Sequence, residues 1–189
     1  IFLGEHSFKE IMGDVMKMID YIIQYIMPTG YRIKHLRNKG LRIGNGCEIY
    51  RSVNFGSEPY LISIGNDVRI TSGVKFCTHD GGIWTLRKKG LLQDADIFGQ
   101  ITIGDRVHIG WNSIIMPNVH VGNDCIIGCG SVVTKDIPDG MIVAGVPAKI
   151  IKSVDDYYEK AKKISVPTAK MSEKEKRRYI EQKLEIIKK

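Results

Sequence analysis

The sequence predicts an all-β-dominated chain wound as a parallel β-helix, with a helix in front of it, one long excursion and a helical tail behind it. Three observations carry that reading. Between Ile103 and Val133 an aliphatic residue returns every six positions, at Ile103, Ile109, Ile115, Val121, Ile127 and Val133. The positions two before each of these are small or aliphatic as well: Ile101, Val107, Ser113, Val119, Cys125 and Ser131. The same register holds upstream at Ile43, Ile49 and Phe55 and, after a nine-residue step, at Ile64, Ile70 and Phe76. A strict period of six belongs neither to an amphipathic helix nor to a coiled coil.

Six residues form one short flat strand plus a corner, and three such units close a triangular coil of about 18 residues. Coils stacked about 4.8 Å apart line the aliphatic side chains into columns inside a narrow prism. About four to five coils are expected from the length of the pattern. Glycine follows the aliphatic at Gly104, Gly110, Gly122 and Gly128, read here as the residue that a tight corner's dihedral angles require.

The elements follow in order. Residues 1–40 are expected to form a helical cap. Within them, Phe8, Ile11, Met12, Val15, Ile19, Ile22, Ile23 and Ile26 recur at helical spacing between Glu5 and Met27. This predicts one amphipathic helix, ended by Pro28 and Gly30 and packed on its own domain. Lys9, Glu10, Asp14, Lys17 and Asp20 make it too charged to span a bilayer, and its mixed polar face argues against adsorption to a membrane surface. Residues 41–152 form the β-helix, interrupted by an excursion over 77–100 that is too long for a corner and rich enough in aromatic and aliphatic residues to be ordered. Residues 153–189 read as two helical pieces separated by Pro167, with Ser172 and Glu175 forming a capping box.

Composition narrows the function classes. With 189 residues, 43% of them hydrophobic and 26% charged, the chain is neither disordered nor a polytopic membrane protein. Its four cysteines, Cys47, Cys77, Cys125 and Cys129, form no CxxC pair. They read as reduced thiols of a cytoplasmic protein rather than a zinc knuckle or a disulfide scaffold. The net charge of +7 is concentrated at the C-terminus, where residues 149–189 carry +6 and the rest +1. That distribution suits a small polyanionic ligand, a partner or an anionic membrane surface better than duplex DNA read by a basic domain, with a solvated helical face as the ordinary reading of such a tail, so no nucleic-acid partner is expected.

Of five histidines only His79 stands in the excursion, beside Asp80 and near Trp84 and Arg87. An imidazole is the side chain poised to take a proton near neutral pH. Asp80 either orients that ring or shapes an Asx turn ahead of Gly81. Trp84 and Arg87 suit a sugar ring as platform and clamp, with packing of Trp84 against the prism as the open alternative. His108 and His120, with His79, invite a zinc reading. Their separation of twelve residues puts them on different faces, so no metal is expected.

The run ITIGDRVHIGWNSIIMPNVHVGNDCIIGCGSVVTKDIPDGMIVAGVPAKIIK, residues 101–152, resembles the hexapeptide-repeat acyltransferases, close to the sugar O-acetyltransferases of the galactoside and maltose type. The loop CTHDGGIW is similar to that of enzymes that acetylate surface polysaccharides. The resemblance implies a left-handed β-helix, acetyl-coenzyme A as acyl donor, a sugar or glycan hydroxyl as acceptor, and a homotrimer with active sites between subunits. It implies His79 as the general base of a direct transfer, which leaves Cys77 a small buried thiol rather than a nucleophile. It also implies a coenzyme site at Trp111, Cys129, Gly130, Ser131, Thr134, Lys135, Lys149 and Lys152, with corner backbone groups toward the pantetheine arm and lysines toward the phosphates. Trp111 departs from the small residue usual there. The alternatives are an N-acyltransferase acting on a nucleotide-linked amino sugar, a non-catalytic trimeric binding module and a metal-dependent hydratase.

Overall fold

The six-residue register becomes three stacked faces in the computed structural model, which describes residues 8–187. The first face is built from β1 (Arg42–Ile43), β3 (Ile62–Ile64), β6 (Ile101–Ile103) and β9 (His120–Val121). The second comprises β2 (Glu48–Ile49), β4 (Arg69–Ile70), β7 (His108–Ile109), β10 (Ile126–Ile127), β12 (Met141–Gly145) and β13 (Ala148–Ser153). The third holds β5 (Lys75–Phe76), β8 (Ile114–Ile115) and β11 (Val132–Val133). Neighbours are parallel everywhere except at the closing β12–β13 pair. Four coils are complete and a fifth begins at Ile137.

Inward-pointing residues stack in register. Ile64, Ile103 and Val121 form one buried column, Ile49, Ile70, Ile109 and Ile127 the next, and Phe55, Phe76, Ile115 and Val133 the third. Each such aliphatic contributes about 1.5–3 kcal/mol on leaving water. The rings of Phe55 and Phe76 stack with centroids 5.2 Å apart. Ser113 and Ser131 occupy buried positions where other repeats place Val, Ile or Cys; Ser113 Oγ donates to the carbonyl of Gly110 at 2.8 Å, with that of Gly128 at 3.0 Å, and Ser131 Oγ donates to the carbonyl of Gly128 at 2.6 Å. A buried hydroxyl is tolerated because it is paired.

The glycines that follow the aliphatics serve another purpose than the expected one. Gly104, Gly110, Gly122 and Gly128 do not take left-handed dihedrals. A Cβ on Gly104 would instead lie 2.7 Å from the carbonyl carbon of Gly122 in the next coil, so close approach of backbones is what demands them. The left-handed residues come later in the corner, at Gly46, Asp67, Arg106, Asp124 and Gly140. Just ahead of them runs a ladder of side chains. Asn66, Asp105, Asn123 and Asp139 each accept, through Oδ1, the backbone N–H of Asn45, Asn66, Asp105 and Asn123 respectively, at 2.7–3.0 Å.

Two helices precede the prism where one was expected: α1 (Phe8–Tyr25) and α2 (Thr29–Asn38). Pro28 both ends the first and starts the second, because its fixed φ of −56° suits the N-cap and its missing N–H is not needed there. Gly30 sits inside the first turn of α2. Ile33 and Leu36 of α2 pack on the core. Arg32 and Arg37 donate to the carbonyls of Ile49, Tyr50, Ile43 and Gly44 in the first coil, groups that the end of a parallel stack would leave unpaired. The expected burial of the amphipathic helix is not found: Ile11, Val15, Ile19 and Ile22 of α1 stay exposed, since within this chain α1 contacts chiefly the short α2.

The excursion is not irregular throughout. It contains α3 (Ile83–Lys88), whose Ile83 is buried. Its two limbs are stitched at the base by Asp80 N–H to Ile97 O, 2.9 Å, and Gly99 N–H to Thr78 O, 2.8 Å. After β13 the chain continues as α4 (Val154–Ile164) and α5 (Glu173–Ile187), and residues from Asp155 onward form a separate compact unit. The capping box is made: Glu175 accepts the N–H of Ser172 at 2.9 Å, and Ser172 Oγ accepts the N–H of Glu175 at 3.4 Å. With most strands only two or three residues long, helical residues outnumber strand residues among those described, which corrects the all-β-dominated expectation. No helix among the described residues is long and apolar enough to cross a membrane.

Candidate active site

The corners leading from the third face to the first are the irregular ones, and the first two of them meet. Coil one turns there through Gly56–Leu61, ending in a 3₁₀ turn at Pro59–Leu61, and coil two through the excursion. Coils one and two are offset by 21 residues, the separation of Arg42 from its partner Ser63. The same offset brings Glu58 against His79, with Glu58 Oε2 2.9 Å from His79 Nδ1. Thr78 Oγ1 donates to the same oxygen at 2.5 Å. His79 keeps half its side chain exposed while Glu58 keeps 14%.

Burial pushes the Glu58 carboxyl up, but hydrogen bonds from Thr78, Ser57 and His79, together with the imidazole's charge, outweigh it and hold the group below its ordinary value. An ionised Glu58 accepts the Nδ1 proton of a neutral ring, which leaves the Nε2 lone pair as a base. Phe98 meets the ring edge-on at 6.3 Å. A cavity of about 390 Å³ opens over this pair, lined also by Trp84, Arg87 and Asp96.

Four of the residues singled out in the sequence are therefore brought together: His79, Asp80, Trp84 and Arg87. Asp80 takes the second of its two open roles, since its Oδ1 accepts the N–H of Gly82 at 2.8 Å and shapes the turn. The carboxylate on the ring is Glu58, which sequence reasoning missed; the 21-residue offset between Phe55 and Phe76 was the available signal. Trp84 is exposed, with Lys88 Nζ 5.8 Å over its ring, so it is not packed on the prism. Arg87 is held by an ion pair with Asp96.

The residues carried over for the coenzyme lie apart from one another. Trp111, Cys129 and Gly130 share the corner between the second and third faces, where Gly130 N–H donates to Trp111 O at 2.6 Å. Thr134 and Lys135, both exposed, follow β11 on the corner that two coils earlier bears His79. Lys149 and Lys152 stand on β13, paired with Ala144 and Ile142. Ser131 does not offer its side chain to a ligand: it is fully buried, its hydroxyl donating to Gly128 O and accepting Gly145 N–H. His108 lies on the second face and His120 on the first. Burial, then Arg69, lowers the His108 pKa. Among the described residues no three metal-ligating side chains converge.

A carboxylate-held imidazole at an open irregular corner of a stacked prism is an arrangement able to take a proton from a bound hydroxyl or amine. The family described as bacterial transferase hexapeptide (six repeats) matches residues 100–135. Over 148 residues the chain is 50% identical to Protein CapG of Staphylococcus aureus, spanning 77% of this chain and 84% of that one. It is 35% identical over 131 residues to the galactoside O-acetyltransferase of Escherichia coli strain K12, spanning 66% of this chain and 63% of that one. The solved structure of galactoside acetyltransferase in complex with coenzyme A aligns with a TM-score of 0.59 at 25% identity, over 82% of this chain and 88% of that one. The chain belongs to the hexapeptide-repeat acyltransferase family, and the left-handed coil comes with that membership.

Proposed function

We propose that this protein transfers an acetyl group from acetyl-coenzyme A to a hydroxyl of a sugar or surface glycan, with His79 as general base. The observation that carries the reading is the Glu58–His79 contact, in a cavity walled by an exposed tryptophan and an arginine. The likeness to an O-acetyltransferase and to a coenzyme A complex supports the donor and the oxygen acceptor.

His79 Nε2 takes the proton of the acceptor hydroxyl as its oxygen attacks the thioester carbonyl. Glu58 holds the ring's tautomer and stabilises the imidazolium that forms, as a buried carboxylate does for a catalytic histidine elsewhere. The new C–O bond forms, the C–S bond breaks, and the imidazolium returns its proton to the departing sulfur. No enzyme nucleophile is required, which leaves Cys77 out of the chemistry. Trp84 supplies an apolar platform for the sugar ring and Arg87, fixed by Asp96, a directed donor.

The donor's phosphates are assigned to Lys135, Lys149 and Lys152, and its thioester arm to the corner groups around Trp111, Cys129 and Gly130. Because those corners lie a face-width apart within one prism, a homotrimer that sets one prism's excursion against another's last coils would complete the site. Hydroxyl and amino acceptors offered in parallel test the reading. An alkali-labile ester product is expected, whereas an alkali-stable amide as the only product would make this an N-acyltransferase. Equilibrium sedimentation tests assembly: a monomer retaining full activity contradicts the shared site.

A further inference from the structure

Two consecutive residues, one buried and one at the surface, reach the same carboxylate oxygen. Thr78 is 1% exposed, whereas His79 keeps half its side chain in solvent. Glu58 Oε2 accepts the Thr78 hydroxyl at 2.5 Å and lies 2.9 Å from His79 Nδ1. Side chains alternate between the two sides of an extended backbone, so the carboxylate is gripped from within the prism by Thr78 and from its surface by His79.

The groups that meet there differ in stiffness. Thr78 is β-branched, which restricts its first side-chain torsion. Its main chain is pinned at the base of the excursion, where its carbonyl accepts the N–H of Gly99 at 2.8 Å. The facing turn fits closely around the hydroxyl: a Cβ on Gly56 would lie 3.3 Å from Thr78 Oγ1, at a φ of +68° that a side chain would strain. Glu58, by contrast, reaches out of a turn through several side-chain torsions, whose freedom opposes holding its carboxylate on one ring nitrogen. A hydrogen bond to an ionised carboxylate is short and strong. A stiff, buried hydroxyl aimed at Oε2 therefore sets where that oxygen sits, and with it which imidazole nitrogen keeps the proton.

We propose that Thr78 is a positioning residue of this site, its hydroxyl holding Glu58 on Nδ1 of His79 so that Nε2 stays the free base. The inference rests on the reading of Glu58 and His79 as a working pair and deepens it, since it assigns the pair's geometry to a residue inside the coil.

Two-bond proton–nitrogen correlation spectra of the intact chain, carrying isotope-labelled histidine at mildly alkaline pH, report which ring nitrogen is protonated whether or not the protein turns over. The His79 signals are assigned by their absence in His79→Ala. The parent should show one tautomer, protonated at Nδ1. Thr78→Val keeps the shape and removes the hydroxyl. It should move both nitrogens toward the mixed shifts of a free imidazole and lower kcat about tenfold, with the KM for acetyl-coenzyme A unchanged. Thr78→Ser keeps the hydroxyl, and should hold the parent's tautomer and stay within about twofold of its kcat. Should Thr78→Val fail to fold, Thr78→Ser and Thr78→Ala differ by the hydroxyl alone and give the same contrast. A parent ring not protonated at Nδ1, a Thr78→Val protein with the parent's tautomer or the parent's kcat, or a Thr78→Ser protein no better than Thr78→Ala overturns the proposal. A chain with the expected nitrogen shifts that acetylates no acceptor instead overturns the acetyl-transfer reading and leaves the role of Thr78 in place.

Discussion

The corner between the first and second faces is the same in every coil, whereas the corner between the third and first faces is different in each. The first holds the Asn45–Asn66–Asp105–Asn123–Asp139 ladder, with a left-handed residue after each rung. The second holds a 3₁₀ turn with Glu58, then a 24-residue excursion with His79 at 77–100, then the short turn around Asn118, then Thr134 and Lys135. Regularity on one edge fixes the 4.8 Å stacking that lets irregular segments on another edge meet at set distances. Stability and chemistry are thus assigned to different corners of one prism, and mutations should separate them.

The largest effect belongs to the irregular corner. His79→Ala should lower transfer by two or more orders of magnitude, the scale of a lost general base, with thermal melting unchanged. Steady-state rates and a melting curve on the same preparation check both halves. On the regular corner the opposite is expected. Gly104→Ala forces a Cβ to within 2.7 Å of Gly122, so urea unfolding should show a loss of about 1–3 kcal/mol from overpacking, while the rate per folded molecule stays near that of the parent. Equal damage to rate and stability from either change would erase the distinction.

A smaller effect is expected at the far coils. Lys149→Ala with Lys152→Ala should raise the apparent constant for acetyl-coenzyme A severalfold and flatten its salt dependence, with acceptor binding little altered. Donor titrations at low and moderate salt measure this, and an unchanged response would return these lysines to the solvated surface.

The smallest concerns acid stability. Because the folded-state pKa of Glu58 lies below its unfolded value, its contribution is present above the ordinary carboxylate range and is lost as pH falls through the lowered folded value. The stability gap between the parent and Glu58→Gln should therefore be constant near neutrality and close on acidification; a gap that widens in acid contradicts the hydrogen-bonded carboxylate.

The prism was legible because a period of six leaves no competing secondary structure, and Ile103, Ile109 and Ile115 announce three faces directly. His79 was legible as an imidazole outside the register. Glu58 was not, since an isolated Glu before Pro59 reads as a turn residue until the coil offset is applied across the nine-residue step. Arg32 reads as a surface residue in a polar helix, and only its burial against Ile49 and Tyr50 reveals it as part of a cap. Ser131 matched a coenzyme-site pattern, yet it occupies the inward position of the repeat, where its hydroxyl is claimed by Gly128 and Gly145. For Glu58 the missing information was which coil lies above which, and for Arg32 it was where the helix docks.

The central claim, that Glu58 acts on acetyl transfer through His79, is tested most directly by a double-mutant cycle of Glu58→Gln and His79→Ala read as kcat/KM. Two residues working as one unit give non-additive losses. Glu58→Gln alone should lower the rate, His79→Ala should lower it further, and the double variant should be no slower than His79→Ala. Losses that simply add in the double variant would show that Glu58 does not act through the imidazole, and would contradict the account.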